Sequence, residues 1–243
     1  MRVGVFDSGI GGLTVLKELK KAMPNAHEYV YFGDRLNAPY GDKGPEEIKT
    51  NALKIIEYLL TQNLDAIVVA CNTIVANAMD EIQKAAPVPV IGVIDPTIEH
   101  IQAAGYKNVG IAATSATIKS GIYQSKLRAL GINSHPVACP KLVPLIESNN
   151  FGTDLDNAIA YHFQNFLGKN LDALVLGCTH YPIIVNQIQA YLTNFGETMD
   201  LINPANFIAE KLKALSNNKD TFVFTKIDKD LPAQIANILT QTP

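Results

Sequence analysis

Asp65-Ala66-Ile67-Val68-Val69-Ala70-Cys71 and Asp172-Ala173-Leu174-Val175-Leu176-Gly177-Cys178 are two versions of one phrase, 107 residues apart. Each runs from an acid through small and branched apolar residues to a cysteine. Such near-continuous apolar runs mark strands buried on both faces of a parallel sheet. A second pair backs the first. Val3-Gly4-Val5-Phe6-Asp7-Ser8 and Val109-Gly110-Ile111-Ala112-Ala113-Thr114 lie 106 residues apart. The two offsets agree within one residue, so the chain reads as two similar half-chains. Each half has a hydroxyl-bearing turn after its first strand and a cysteine after a later one.

Further strands are expected at Arg2–Phe6, Tyr29–Phe32, Ala66–Ala70, Val90–Val93, Asn108–Ala112 and Ala173–Gly177. Helical spacing lies between them. Leu13, Leu16 and Leu19 recur before Pro24, and Ile48, Ile55 and Leu59 follow Pro45. Ala76, Met79 and Ile82 follow Cys71, and Ile184, Ile188 and Leu192 follow Cys178. This alternation predicts an α/β protein with two similar doubly wound parallel-sheet domains. They would be related by pseudo-two-fold symmetry, with the active site between them. The expected division is residues 1–96 plus 204–243 for the first domain, with Cys71, and 97–203 for the second, with Cys178.

Bulk composition limits the function. The chain has 243 residues, 47% hydrophobic and 18% charged, which suits a globular protein with a sizeable core. A net charge of −3 gives no electrostatic case for nucleic acid. No apolar run is long enough to span a bilayer. The chain opens on a strand-like run with no signal peptide, so a cytoplasmic location is expected. The three cysteines, Cys71, Cys139 and Cys178, read as free thiols, and their spacing suits no zinc site. No metal is expected.

In open α/β sheets, ligands bind at the carboxyl ends of the strands. Cys71 and Cys178 both fall there, each followed by small polar residues, Asn72-Thr73 and Thr179-His180, and then by a helix. Thiolates are favoured near helix N-termini. Two thiols flanking one site suit inversion of a chiral carbon, with one removing a proton and the other supplying one. Short donors for a carboxylate are plentiful: Ser8, Asn72, Thr73, Thr114, Thr117 and Thr179. No lysine stands in a recognisable pyridoxal-phosphate setting.

Other residues read more plainly. Cys139 has no repeat partner and is expected to be a small buried residue. Gly9, Gly11 and Gly12 form a tight strand-to-helix turn rather than a phosphate loop, because the dinucleotide spacing and the P-loop lysine are missing. His180, beside Cys178, is a candidate acid/base or orienting group. His27, His100, His135 and His162 are expected to be structural or surface residues. Asp7, at a strand end beside Ser8, is a candidate site residue.

Six stretches together resemble the glutamate racemases of the aspartate/glutamate racemase superfamily, in order and spacing over roughly residues 2–205. They are Gly4–Gly12, Tyr31–Asp34 with Pro39-Tyr40-Gly41, Ala70–Thr73, Thr114–Ser120, Val143–Glu147 and Gly177–Pro182. The resemblance implies that Cys71 and Cys178 are two bases, acting on D- and L-glutamate respectively. It implies that Asp7 assists Cys71 and His180 assists Cys178, with Glu147 and Asp34 as acids near the site. Substrate contacts are implied for Asp7, Ser8, Pro39, Tyr40, Gly41, Asn72, Thr73, Thr117, Thr179 and His180. No cofactor is implied, and the product, D-glutamate, would serve peptidoglycan synthesis.

Two features depart from the family pattern. Ile74-Val75-Ala76 stands where the family has Ala-Ser-Ala; facing the site it would reshape the pocket, and facing the sheet it would not. Phe222–Thr225 matches the family ending only loosely. The alternatives are an aspartate or broad-specificity racemase, a thiol hydrolase using Cys178 and His180, and a non-catalytic amino-acid or phosphate binding protein. The oligomeric state is left open, with a homodimer among the options.

Overall fold

The computed structural model describes residues 1–24, 28–212, 221–224 and 230–240. His27 and Thr225 lie outside them. The first half runs β1 (Arg2–Asp7), α1 (Leu13–Ala22), β2 (Glu28–Gly33), α2 (Pro45–Leu60), β3 (Ala66–Val69), α3 (Asn72–Ala85), β4 (Val90–Gly92) and α4 (Ile94–Ala103). The second runs β5 (Asn108–Ala113), α5 (Ser115–Ser120), α6 (Ile122–Ala129), β6 (Asn133–Ala138), α7 (Leu142–Glu147), α8 (Thr153–Phe163), β7 (Ala173–Gly177), α9 (Val185–Asn194) and β8 (Asp200–Ile202). The chain then passes through short turns to β9 (Thr221–Phe224) and α10 (Leu231–Thr240).

Among the described residues, all the strand pairs are parallel. One sheet has the order β4-β3-β1-β2-β9 and the other β6-β5-β7-β8. Read from β4 and from β8, the two orders are the same, with β9 as an extra edge. The repeat extends to register: Val3 faces Ala66, and Val109 faces Ala173. The one-residue difference between the two sequence offsets is the one-residue difference between these pairs.

The apolar runs are explained by what covers them. Val109, Ile111, Ala113, Ala173 and Val175 join the large core that also fills the first half. Ala112, Leu174 and Leu176 point the other way, into a second core with Leu142, Ile146, Leu155, Ile159 and Phe163. Helices therefore bury both faces of the sheet, and an alternating polar face would leave charges in the core.

Two strands of the second half were not expected from sequence. β6 contains Pro136 and His135 and is mostly half-exposed. It lies at the sheet edge, where a proline costs no ladder bond on the open side. β8 is three residues long and also at an edge. Neither needs an apolar pattern. Residues Pro204–Phe207 pack back on α1 and α4 of the first half. Among the described residues, no helix is long and apolar enough to cross a membrane.

Candidate active site

The carboxyl ends of both sheets meet at one cavity, and both repeated cysteines line it. The first half also contributes Ser8, Pro39, Tyr40, Gly41, Asn72 and Thr73 to the lining, and the second contributes Glu147, Thr179 and His180. Asp7 and Thr117 are fully buried and do not line it. They act on its wall from behind.

Cys71 caps α3 at the end of β3. Its thiol donates to Ser8 Oγ at 3.6 Å. Burial pushes this thiol up to about 12, and the buried Asp7 adds to the rise. The Ser8 hydroxyl and the Ile74 N–H of the helix oppose it but do not win. The sequence reading expected the helix N-terminus to favour a thiolate here. Desolvation penalises the charged form more than one turn of amides rewards it.

Cys178 is built differently. No α-helix begins directly after it, contrary to expectation: a 3₁₀ turn at Tyr181–Ile184 intervenes before α9. A histidine stands where the helix end was expected. Cys178 Sγ lies 3.8 Å from His180 Nδ1, and His180 Nε2 lies 2.9 Å from Glu147 Oε1. Burial alone would lower the His180 pKa, but Cys178 and the Glu147 carboxylate together hold it well above the ordinary histidine range. Burial likewise pulls Glu147 upward, yet its bond to His180, that ring's charge and Arg35 leave it below the usual range. Glu147, His180 and the Cys178 sulfur thus form one line of contacts.

Asp7 ties the two halves together. Its carboxylate accepts from Gly9 N at 3.0 Å and from the Thr179 hydroxyl at 3.3 Å. Burial raises its pKa, against the pull of His180 and of the Gly12 and Gly9 amides. On the other side of the cavity, Thr73 Oγ1 meets Thr114 Oγ1 at 2.8 Å and Thr117 Oγ1 at 3.3 Å. Gly41 O accepts from Ala116 N at 2.8 Å. The Tyr123 hydroxyl donates to Asn72 Oδ1 at 2.7 Å, which leaves the amide NH₂ as the group Asn72 can offer a ligand. Asp34 is 2% exposed and does not line the cavity. It accepts from Tyr40 OH at 2.6 Å and from Asn37, and so shapes the loop that carries Pro39-Tyr40-Gly41.

The lining also contains residues that sequence reasoning did not single out for the site. Cys139 is buried, as expected, but borders the cavity together with Pro140, Val143 and Pro144. It stands at the carboxyl end of β6, the strand whose polar sequence hid it. Burial holds its thiol far above the ordinary range. Thr114, a candidate donor only by its hydroxyl, lines the wall where Thr117 was expected. The glycine turn is a close approach and not a phosphate cradle. A Cβ on Gly11 would sit 2.4 Å from Thr179 Oγ1 and 2.6 Å from His180 Nδ1. The described histidines other than His180 stay away: His100 stacks on Phe207, His135 bonds Asn108, and His162 is buried in the second core's helix α8.

Ile74 and Val75 face away from the cavity. Both are buried in the first core, and Val75 packs over Gly92. Ile74→Ala is therefore expected to cost about 2–5 kcal/mol of stability, with KM for substrate unchanged. Chemical denaturation beside steady-state kinetics checks this; a shifted KM in a stable variant would place Ile74 at the site.

Known proteins are similar to this chain in sequence and in fold. The chain is 37% identical over 244 residues to the glutamate racemase of Hydrogenobaculum sp. (strain Y04AAS1), covering 99% of this chain and 94% of that protein. It superposes on the crystal structure of glutamate racemase from Francisella tularensis subsp. tularensis SCHU S4 in complex with D-glutamate with a TM-score of 0.90 at 33% identity. That match covers 99% of this chain and 94% of the other. The glutamate racemase of Campylobacter jejuni subsp. jejuni gives a TM-score of 0.86 at 36% identity, over the whole of both chains. A family model for Asp/Glu/hydantoin racemases matches residues 3–212, the span that carries Cys71, Cys178 and the strands up to β8, and the chain belongs to that family.

Proposed function

We propose that this protein is a glutamate racemase that interconverts L- and D-glutamate with two cysteine bases and no cofactor. The observation that carries the reading is the pair of buried thiols, at matched strand ends, on the wall of one cavity.

The reaction needs one thiolate and one thiol at a time. Starting from L-glutamate, Cys178 takes the α-proton, breaking the Cα–H bond. Cys71, a thiol at rest because of its burial, gives its proton to the opposite face. The products are D-glutamate, a protonated Cys178 and a Cys71 thiolate, and exchange with solvent resets the pair. His180, whose pKa Cys178 and Glu147 hold up against burial, gives negative charge on the Cys178 sulfur a partner at 3.8 Å. Asp7 assists Cys71. In the reverse direction the roles exchange.

The α-proton of an amino acid is far less acidic than a thiol, so the carbanion-like state has to be stabilised by fixed donors. The cavity wall offers neutral ones: the hydroxyls of Ser8, Thr73, Thr114 and Thr179 and the amide of Asn72. Neutral donors bind a carboxylate without a counter-charge that would have to be stripped of water. Pro39, Tyr40 and Gly41 close the wall on one side and Thr117 braces it. The product would supply D-glutamate for peptidoglycan in the cytoplasm. The catalytic unit is both domains, residues 1–96 with 204–243 and residues 97–203, because each brings one base.

Incubation with L-glutamate in heavy water tests the proposal. The expected result is D-glutamate carrying α-deuterium, without added cofactor. Neither inversion nor α-exchange would sink it, and faster turnover of aspartate would redirect it to the broader racemase reading.

A further inference from the structure

The turn that carries Cys178 does not hold itself. Its own amides use two of its carbonyls: Tyr181 N bonds Cys178 O at 3.1 Å, and Ile183 N bonds His180 O at 3.0 Å. The carbonyl between them, on Thr179, accepts from a side chain of the other half. Thr14, in the first turn of α1, places its hydroxyl 2.9 Å from Thr179 O and 2.8 Å from Gly11 O. Thr14 is 8% exposed and does not line the cavity.

We propose that Thr14 is a positioning residue for the Cys178 side of the reaction: its hydroxyl fixes the Thr179–His180 peptide, and through it the sulfur and the ring. The chemistry is one-directional. A hydroxyl has one proton, and both neighbours are carbonyl oxygens that only accept, so Thr14 must donate to the pair. The carbonyl it serves is buried, and without a donor it carries the cost of an unmade hydrogen bond. The turn answers from its other side, where the Thr179 hydroxyl donates to Asp7. The β1–α1 turn of the first half thus grips one residue of the second from two directions. Cys71, between β3 and α3, meets this turn at Ser8 Oγ, a group that Thr14 does not bond. Loss of Thr14 should therefore loosen one thiol and leave the other alone.

The inference rests on the racemase reading, and one arm of its test does not. Thr14→Val removes the hydroxyl and keeps the shape, Thr14→Ser keeps the hydroxyl, and Thr14→Ala is run alongside in case the valine variant does not fold. Racemase kcat should fall about tenfold in the variants without the hydroxyl and stay within about twofold in Thr14→Ser. The second readout is iodoacetamide labelling of each cysteine, resolved by peptide mass spectrometry. Cys178 should label at least about threefold faster without the hydroxyl, with Cys71 unchanged. Three results would overturn the proposal: unchanged kcat and labelling in Thr14→Val and Thr14→Ala, an equal rise at both cysteines, or a serine variant as impaired as the valine one. If the protein racemises nothing, the labelling ratio still decides whether Thr14 holds the turn.

Discussion

Cys71→Ala and Cys178→Ala are each expected to abolish racemisation in both directions, by at least about 10³-fold in kcat. The size follows from the two-base scheme. Inversion needs a proton removed on one face and one delivered on the other, and each thiol is the donor or acceptor of one face only. Microscopic reversibility carries the loss into both directions, whichever cysteine is removed. Neither substitution should unfold the protein, because each trades a small buried residue for a smaller one. Initial rates from both enantiomers, read by polarimetry or chiral chromatography, check this. A variant with near-normal turnover in one direction would end the two-base scheme. Cys139→Ala is the control. Its thiol borders the same cavity, but it has no place in the scheme, so its loss should leave inversion intact.

Gly11→Ala is expected to produce the largest effect of any substitution away from the thiols. The added methyl would meet Thr179 Oγ1 at 2.4 Å and both His180 Nδ1 and Cε1 within 2.7 Å. Neither neighbour can retreat freely. Thr179 is held through its hydroxyl by Asp7 and through its carbonyl by Thr14, and His180 by Glu147. Something must shift, and what shifts is the turn that aims Cys178. A loss of about 10²-fold in kcat follows from displacement on the ångström scale, together with about 1–3 kcal/mol of overpacking strain. Gly44→Ala offers the comparison. Nothing lies within 4 Å of its added carbon, so activity should be unchanged and stability altered by no more than about 0.5 kcal/mol. Thermal unfolding and kcat measured on both variants separate the two; equal behaviour would mean that the Gly11 contact is not tight in solution.

The sequence carried a large part of this because a repeat is a statement about topology. Two apolar runs ending in cysteine, each at a near-constant distance from a matching first strand, require two like sheets and two like strand ends. That requirement holds wherever the helices pack. The strands with apolar patterns were legible for the same reason, since burial on both faces forces their composition. β6 and β8 were not, because an edge strand is paid for by backbone hydrogen bonds and asks little of its side chains. Cys139 is the small buried residue that was expected, but its place beside the cavity could not be seen, because its strand could not be.

What only the tertiary structure decided is how far Cys71 is desolvated and the company each thiol keeps. Sequence put both cysteines near helix starts and read both as tuned downward. The fold buries Cys71 deeply enough for desolvation to outrun the helix, and gives Cys178 a histidine and a glutamate in place of one. The direction in which Ile74 and Val75 point depends on the helix phase after Cys71, which the residues alone leave open and packing against the first core fixes. Contacts such as Thr14 with Thr179, 165 positions apart, leave no periodic trace in either partner. A repeat is written along the chain and can be read there. Burial and cross-half bonds arise only when the two copies face each other, and those are what give two like cysteines unlike surroundings.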